Sequence, residues 1–469
     1  MEKYTEHATF ICGHRKSGTT LLLCLLDNHP ELLTFPVDSA FFYGYYPAFD
    51  TADYTDQQKT ERMAVFVANK LEIELFNLSE KDRKDLHFPL NEMRGDIRAF
   101  AAKSDKKPRD MLISLMRAYR KHFTGSEKAV RWVEKTTSSE IYAARIREWF
   151  PKAKFIHVIR DPRDNWASLK SGWNKLYYRF NDSPARLMQQ MIERCGLGME
   201  FARRNANRFG PEVYKIIKFE DLTANPEKEL REICDFLQIS FSESMRIPTV
   251  CGKLWKGNNF SGRRFVKPSA VNAGRWRERI SGKEACLIEF HFGSLMKYFD
   301  YECFYPSDEC ADAATDHYCS LHAGDLLAQL CPDLSAAAEN TGEKKEDIRS
   351  ADKICTFRVS PADGSEESPR CIVIGDQAKL EELGEAVREA FELDKDHICC
   401  FTYEDSSGLS VNVHHPEMNI GPPWTDEVRI REIPLHPGDS MKFLYDFADN
   451  REFDIVLEKT ESRIQAQGV

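Results

Sequence analysis

Gly13-His14-Arg15-Lys16-Ser17-Gly18-Thr19-Thr20 stands between two apolar runs of different period. Ala8 to Cys12 is short and β-prone, which predicts a buried strand, whereas Leu21, Leu22, Leu25 and Leu26 fit the inward stripe of a helix. Strand, glycine-containing turn and helix start therefore coincide. The free N–H groups of a first helical turn and the positive end of its dipole then point into the turn, where an anion is the favoured occupant. The spacing approaches the phosphate loop G-x-x-x-x-G-K-[ST], but Thr19 stands where that loop has lysine, and the lysine lies earlier, at Lys16.

Further strands alternate with helices. Ala129 to Val133 is a strand that delivers Glu134-Lys135-Thr136-Thr137, and a helix follows from Ser139 to Phe150. Phe155 to Ile159 is an apolar strand ending in Arg160-Asp161-Pro162-Arg163-Asp164, and Val213 to Phe219 is a third. Asn225-Pro226 starts a helix with Leu230, Ile233, Cys234 and Leu237 on one face. This alternation predicts an α/β fold: a P-loop-like three-layer parallel sheet with helices on both faces. Polar residues at strand ends are where such sheets hold ligands. Residues 54–125 read as a helical insertion, either covering the site or packing structurally. Cys251 to Arg279 reads as a basic flap ending in Gly274-Arg275-Trp276-Arg277, and Ser281 with Glu284 forms a capping box for the helix that closes the domain near Tyr305.

A chain of 469 residues exceeds one hydrophobic core. The expected division is a first domain over 1–305, a linker over 306–351 containing a short helix near Ala323 to Leu330, and a smaller α+β domain over 352–469. Charge divides the same way: residues 1–305 carry 50 Lys+Arg against 40 Asp+Glu, and the remainder 15 against 35, so that +10 and −20 make the net −10. The basic part suits a small polyanion; without a concentrated Lys/Arg stripe interleaved with aromatics, nucleic acid is not expected. No run approaches the roughly 20 apolar residues of a membrane span, and the start, Met1 to His7, lacks signal-peptide character, which predicts a cytoplasmic protein. The 14 cysteines show no C-x-x-C pairs, which suits thiols in a reducing compartment and no metal.

Taken together, residues 8 to about 302 resemble the sulfotransferases that use 3′-phosphoadenosine 5′-phosphosulfate (PAPS). Lys16-Ser17-Gly18-Thr19-Thr20 resembles that family's 5′-phosphosulfate loop, and Arg160 followed by Ser168 its 3′-phosphate site. Phe219-Glu220-Asp221-Leu222 and Gly274-Arg275-Trp276 also resemble family segments. The resemblance implies sulfuryl transfer to a hydroxyl or amine, on a carbohydrate or small molecule, with PAPS as co-substrate and no metal. It implies a donor site of Arg15, Lys16, Ser17, Gly18, Thr19, Thr20, Arg160, Ser168, Arg275 and Trp276. Lys16 then stabilises the leaving group, Lys135 serves the sulfate or substrate, and Asp38, which precedes Phe41-Phe42 as an acidic residue does in heparan-type members, is the general base. Glu134 is the rival base, and His157 reads as a core histidine. A P-loop kinase or ATPase is the alternative, opposed by Thr19; a non-catalytic nucleotide-binding protein is another.

The acidic part resembles plasmid pRiA4b ORF-3-like domains through Thr356-Phe357-Arg358-Val359, Asp396-His397 and Phe443 to Asp449. Strands are expected over Ile354 to Ser360, Val428 to Ile433, Met441 to Phe447 and Phe453 to Leu457, with a helix over Ala378 to Glu392. His397, Asp446 and Asp449 form either a metal or ligand site or, more simply, a solvated acidic turn. A protein partner for this domain is the remaining expectation.

Overall fold

The computed structural model describes residues 3–39, 41–47, 54–76, 78–86, 88–105, 107–123, 128–181, 183–257, 260, 265–330, 353–362, 368–394, 398–404, 410–416, 423–446 and 451–462. The chain divides into two compact units, Met1–Leu326 and Leu327–Val469.

The first unit is built on a five-stranded sheet of β1 (Ala8–Cys12), β2 (Leu32–Asp38), β3 (Arg131–Lys135), β4 (Lys154–Ile159) and β5 (Tyr214–Lys218), in the order β2-β3-β1-β4-β5. Every neighbouring pair is parallel. Successive residues of a strand face opposite sides, so a sheet covered on both faces needs continuous apolar runs. On one face Ile11, Val133, Ile156, Val158 and Ile217 pack with the leucines of helix α1 (Thr19–Leu26) and with Leu230, Ile233 and Leu237 of the helix Pro226–Leu237. On the other, Phe10 meets Trp132, Phe150 and Phe155 at ring-centroid distances of 5.4, 6.2 and 5.9 Å. His157 is buried there and shares a 2.7 Å hydrogen bond with the Tyr214 hydroxyl.

The α1 stripe differs from expectation by one position: Leu23 is buried, while Leu21 is half-buried. Residues 54–125 contain the helices Asp56–Phe76, Glu80–Leu86, Leu90–Ala102 and Pro108–His122, with Met63, Val67, Leu71, Leu112, Leu115 and Tyr119 buried. The capping box of Ser281 and Glu284 is present. In the stretch read as linker, a helix spans Ser307–Leu330, and Cys310 and Ala313 join the apolar core of the first unit. Helical spacing was obscured there by small and polar residues.

The second unit is a six-stranded sheet of β8 (Lys353–Pro361), β9 (Arg370–Gly375), β10 (Cys400–Glu404), β11 (Ser410–His414), β12 (Ser440–Asp446) and β13 (Arg451–Ser462). Its order is β11-β10-β12-β13-β8-β9, antiparallel throughout; β6 (Thr249–Val250) and β7 (Lys253–Leu254) form a separate ribbon in the first unit. The helix Leu380–Ala390 places Leu380, Leu383 and Val387 in a core with Phe357, Phe401 and Phe443. Gly384 allows this approach, since a Cβ there would lie 3.3 Å from the Phe443 ring. Val428 to Ile433, expected as a strand, pairs only through an isolated antiparallel bridge between Arg429 and Lys379 and then enters a 3-10 turn over Ile430–Glu432, with Ile430 and Ile433 buried. His397, Asp449 and the Asp446 side chain lie outside the described residues. Among the described residues, no helix is long and apolar enough to cross a membrane, and no three His, Cys, Asp or Glu side chains are grouped to hold a metal ion.

Candidate active site

The parallel sheet brings the ends of β1 to β5 to one edge, and β1, flanked by β3 and β4, sits where the strand order reverses. That crevice is where doubly wound sheets bind ligands. The loop after β1 needs two glycines. Gly13 has φ +132°, and a Cβ on it would meet the Val158 carbonyl oxygen at 2.4 Å; Gly18 has φ +105° and lies against the Phe219 ring, with the same separation of 2.4 Å for a hypothetical Cβ. Lys16 adopts φ +65° without being glycine, a strain of about 1 kcal/mol. Ser17 closes the turn: its N–H donates to the His14 carbonyl at 3.1 Å and its hydroxyl to the same oxygen at 2.5 Å. Both Ser17 groups are thus engaged within the loop, and anion contact falls to the amides and hydroxyls of α1.

A cavity of about 480 Å³ opens over the loop. Lys16, Gly18, Thr19, Thr20, Arg160 and Ser168 line it, joined by Phe219, Trp255, Phe260, Lys267, Asn272 and Arg279. Arg160, directly after β4, lies over the Phe219 ring at 4.4 Å and donates to the backbone carbonyls of Lys16, at 3.0 Å, and Asn272, at 2.8 Å. Its guanidinium thereby ties the loop to the basic flap. Burial and the nearby charges of Lys135, Arg160 and Arg15 hold the Lys16 ammonium down at about 8, and the Phe260 ring lies 4.1 Å from it.

Four residues of the expected donor set lie outside this lining: Ser17, which closes the loop, and Arg15, Arg275 and Trp276. The Arg15 guanidinium contacts the Tyr177 ring at 5.1 Å and Gln190 at 3.4 Å. Arg275 pairs with Glu278 at 2.7 Å. Trp276 is buried against Arg163 at 4.3 Å, and its backbone N–H donates to Asp164 at 2.8 Å. The polar side chains of this segment that line the cavity are Lys267, Ser269, Asn272 and Arg279. A high density of Arg and Lys marked the segment, but not which members turn inward. Arg163 pairs with Asp161 at 2.7 Å and with Glu289 at 2.6 Å, a buried structural network.

The candidate bases lie at the ends of β2 and β3. Asp38 and Lys135 are register partners. Asp38 Oδ2 accepts from Lys135 Nζ at 2.9 Å and from the Thr137 hydroxyl at 2.9 Å, and its side chain is 28% exposed. Glu134, in contrast, is fully buried, accepting from the hydroxyls of Ser39 and, at 2.5 Å, Thr136. Burial pushes Glu134 up to about 7 although both hydroxyls favour its charge. The helix Asp56–Phe76 adds a group not expected from the sequence: Glu74, raised by burial while Lys135, Lys70 and Lys16 pull it back down. Glu74 follows an unbroken apolar helix pattern, and only the packing of that helix on β2 reveals its setting.

The family model described as "Sulfotransferase family" matches residues 8–243, about half the chain. The chain belongs to the sulfotransferase family. The matched span contains the loop, Asp38, Glu134, Lys135, Arg160 and Ser168, and ends before the flap. The model described as "Plasmid pRiA4b ORF-3-like protein" matches residues 353–467. Among curated proteins none matches. Similar solved structures include the sulfotransferase domain from the Synechococcus PCC 7002 olefin synthase, with 19% identity, TM-score 0.42, and 63% of this chain and 95% of that one covered. The sulfotransferase domain from the curacin biosynthetic pathway has 16% identity, TM-score 0.38, and coverages of 63% and 98%. Retinol dehydratase in complex with androsterone and inactive cofactor PAP has 16% identity, TM-score 0.34, and coverages of 64% and 83%.

Proposed function

We propose that the first unit transfers the sulfuryl group of PAPS to a hydroxyl or amine, on a carbohydrate or small molecule. One observation carries the choice of donor: Lys16, Gly18, Thr19 and Thr20 of the loop and the pair Arg160 and Ser168 line the same cavity, which supports two anionic groups on one ligand. A nucleoside 3′-phosphate 5′-phosphosulfate has them; ATP has one phosphate chain. Thr19 in place of the phosphate-loop lysine points the same way. In this reading the amides at the start of α1 cradle the 5′-phosphosulfate, Arg160 and Ser168 hold the 3′-phosphate, and Lys267 and Arg279 close the cavity.

Chemically, the acceptor oxygen or nitrogen forms a bond to sulfur as the bond from sulfur to the phosphate oxygen breaks. The electron pair leaves with the phosphate, whose growing charge Lys16 neutralises. The acceptor proton passes to Asp38, whose partial exposure favours it over the enclosed Glu134; Lys135 holds that carboxylate in place. The cytoplasm supplies both the donor and the reducing conditions the buried thiols suit. For the second unit, a role in binding a protein partner is the accompanying reading. The division into a catalytic domain over 1–305, a linker over 306–351 and an accessory domain over 352–469 is part of it.

Calorimetry of the full chain with 3′-phosphoadenosine 5′-phosphate (PAP) and with ATP and magnesium tests the donor. Micromolar PAP binding that weakens at least tenfold in Arg160→Ala is expected. Binding of ATP with magnesium and none of PAP overturns the proposal in favour of a nucleotide kinase or ATPase. A PAPS-dependent acceptor screen then compares wild type with Lys16→Ala, where a loss on the order of a hundredfold is expected.

A further inference from the structure

Beneath the anion loop lies a carboxyl that the proposed chemistry does not use. Glu140 sits on the 3-10 turn Ser139–Tyr142, two turns of chain beyond β3, and is fully buried. Its Oε2 accepts from the N–H of Gly13, the first loop residue, at 3.1 Å. From the same segment the Ser138 N–H donates to the Gly13 carbonyl at 3.1 Å. Both backbone groups of Gly13 are therefore held by residues 138 and 140, while the Val158 carbonyl presses on it from β4. The turn is itself anchored from behind: Asn205, on the helix Pro184–Phe209, donates to the Glu140 carbonyl at 2.9 Å.

The other carboxyl oxygen, Oε1, is buried and has no hydrogen-bond partner. A Cβ on Gly198 of the same long helix would come within 2.9 Å of it. The groups that interact electrostatically with Glu140 are Cys12 of β1, Cys195 of the long helix and Tyr214 of β5, none of them a cation. Burying a carboxyl whose donors are its own backbone N–H and that of Gly13 is unfavourable without a counter-charge, and an apolar side chain would fill the space at less cost. The bond to Gly13 is the one that reaches the loop.

We propose that Glu140 is a positioning residue for the anion loop: by holding the Gly13 amide, it sets the loop's entry angle and hence the direction of the amides and of Lys16 that face the donor. The assignment rests on the reading of this loop as the donor cradle, but its geometric part does not. Displacement of the carboxyl frees Gly13 to turn, and the turn propagates through the left-handed Lys16 to Gly18.

Hydrogen exchange of the ligand-free full chain, followed on peptides covering residues 8–20, tests that geometric part directly. Glu140→Ala is expected to speed exchange of the loop amides at least tenfold relative to peptides from β4 and β5. Glu140→Gln, which keeps an oxygen acceptor, should restore protection to within about threefold. Gly198→Ala offers a second route: alanine otherwise favours a helix, yet its methyl would push the carboxyl, so faster loop exchange without global loss is expected. In the donor assay Glu140→Ala should raise the KM for PAPS more than tenfold while kcat changes less than threefold. Unchanged loop exchange in both Glu140→Ala and Gly198→Ala overturns the assignment, as does a loss spread equally over the sheet. If wild type fails to bind PAP, the donor reading falls, and the exchange arm still decides whether Glu140 sets the loop.

Discussion

The two sides of the site solve the charge problem differently. On the side of β1 and β4, cations and backbone amides face a cavity: Lys16, Arg160, Lys267 and Arg279 all line it. At the ends of β2 and β3 the carboxyls already have donors, Asp38 the Lys135 ammonium and Glu134 two hydroxyls. A wall rich in cations is an invitation to a polyanion, whereas carboxyls held by donors stay in position for proton movement. The lesson is that donor affinity and acceptor activation depend on separable sets of residues, and mutations on each side should show it.

The largest separation is expected at the bases. Asp38→Asn should lower kcat with PAPS and a responsive acceptor roughly a thousandfold, within the range for loss of a general base, and leave PAP affinity within about threefold. Glu134→Gln keeps the acceptors for Ser39 and Thr136 and should cost less than tenfold in kcat. Should Glu134→Gln prove the more damaging of the two, the roles assigned to the carboxylates are reversed.

A second contrast is thermodynamic. The folded Glu134 titrates at about 7 because of burial, above its ordinary value of 4.5. Between those values the native state binds more protons than the unfolded state, so stability falls as pH rises through this window. Above pH 7 the penalty is complete, about 3 kcal/mol as an order of magnitude. Urea unfolding of wild type and Glu134→Gln at pH 4 and pH 8 measures it: the variant should gain relative stability at pH 8 by up to that amount. Equal differences at both pH values would mean that Glu134 is not the group paying for burial.

How much of this could be read from the chain alone also differs between the two sides. Loop, strand ends and Arg160 sit in contiguous runs whose apolar periods locate β1, α1, β3 and β4, so the donor side was legible. Ser168 lies on the helix Pro162–Lys170 that starts just after Arg160, so the two stay close through local structure alone. The groups contributed by the flap were not legible, because nothing local separates Arg275, which pairs with Glu278, from Arg279, which lines the cavity; the Asp164 carboxylate, which accepts from the Gly274 and Trp276 backbone N–H groups at 2.5 and 2.8 Å, fixes the turn that buries the indole. Glu74 and Glu140 were hidden for the same reason. Each lies in a locally ordinary segment, and its setting is created by elements distant in sequence. The helix Ser307–Leu330 was hidden by composition, since Ala, Cys and Asp blur the periodicity that a leucine face would show.

The smallest predicted effect concerns Lys16, and it returns to the cationic wall. Burial and three neighbouring cations hold its ammonium down at about 8 against the pull of Glu74, and a bound phosphosulfate adds further negative charge beside it. Binding should therefore raise the lysine's affinity for its proton, so that above pH 8 the ligand binds with uptake of one proton. The dissociation constant for PAPS should rise by up to tenfold per pH unit there and stay nearly flat from pH 6 to 7.5. Calorimetry in two buffers of different ionisation enthalpy counts the proton directly, and Lys16→Ala should abolish both the uptake and the slope. Affinity that is the same at pH 7 and pH 9 would show that Lys16 is already compensated in the free protein, and the contrast between the two sides of the site would lose its main support.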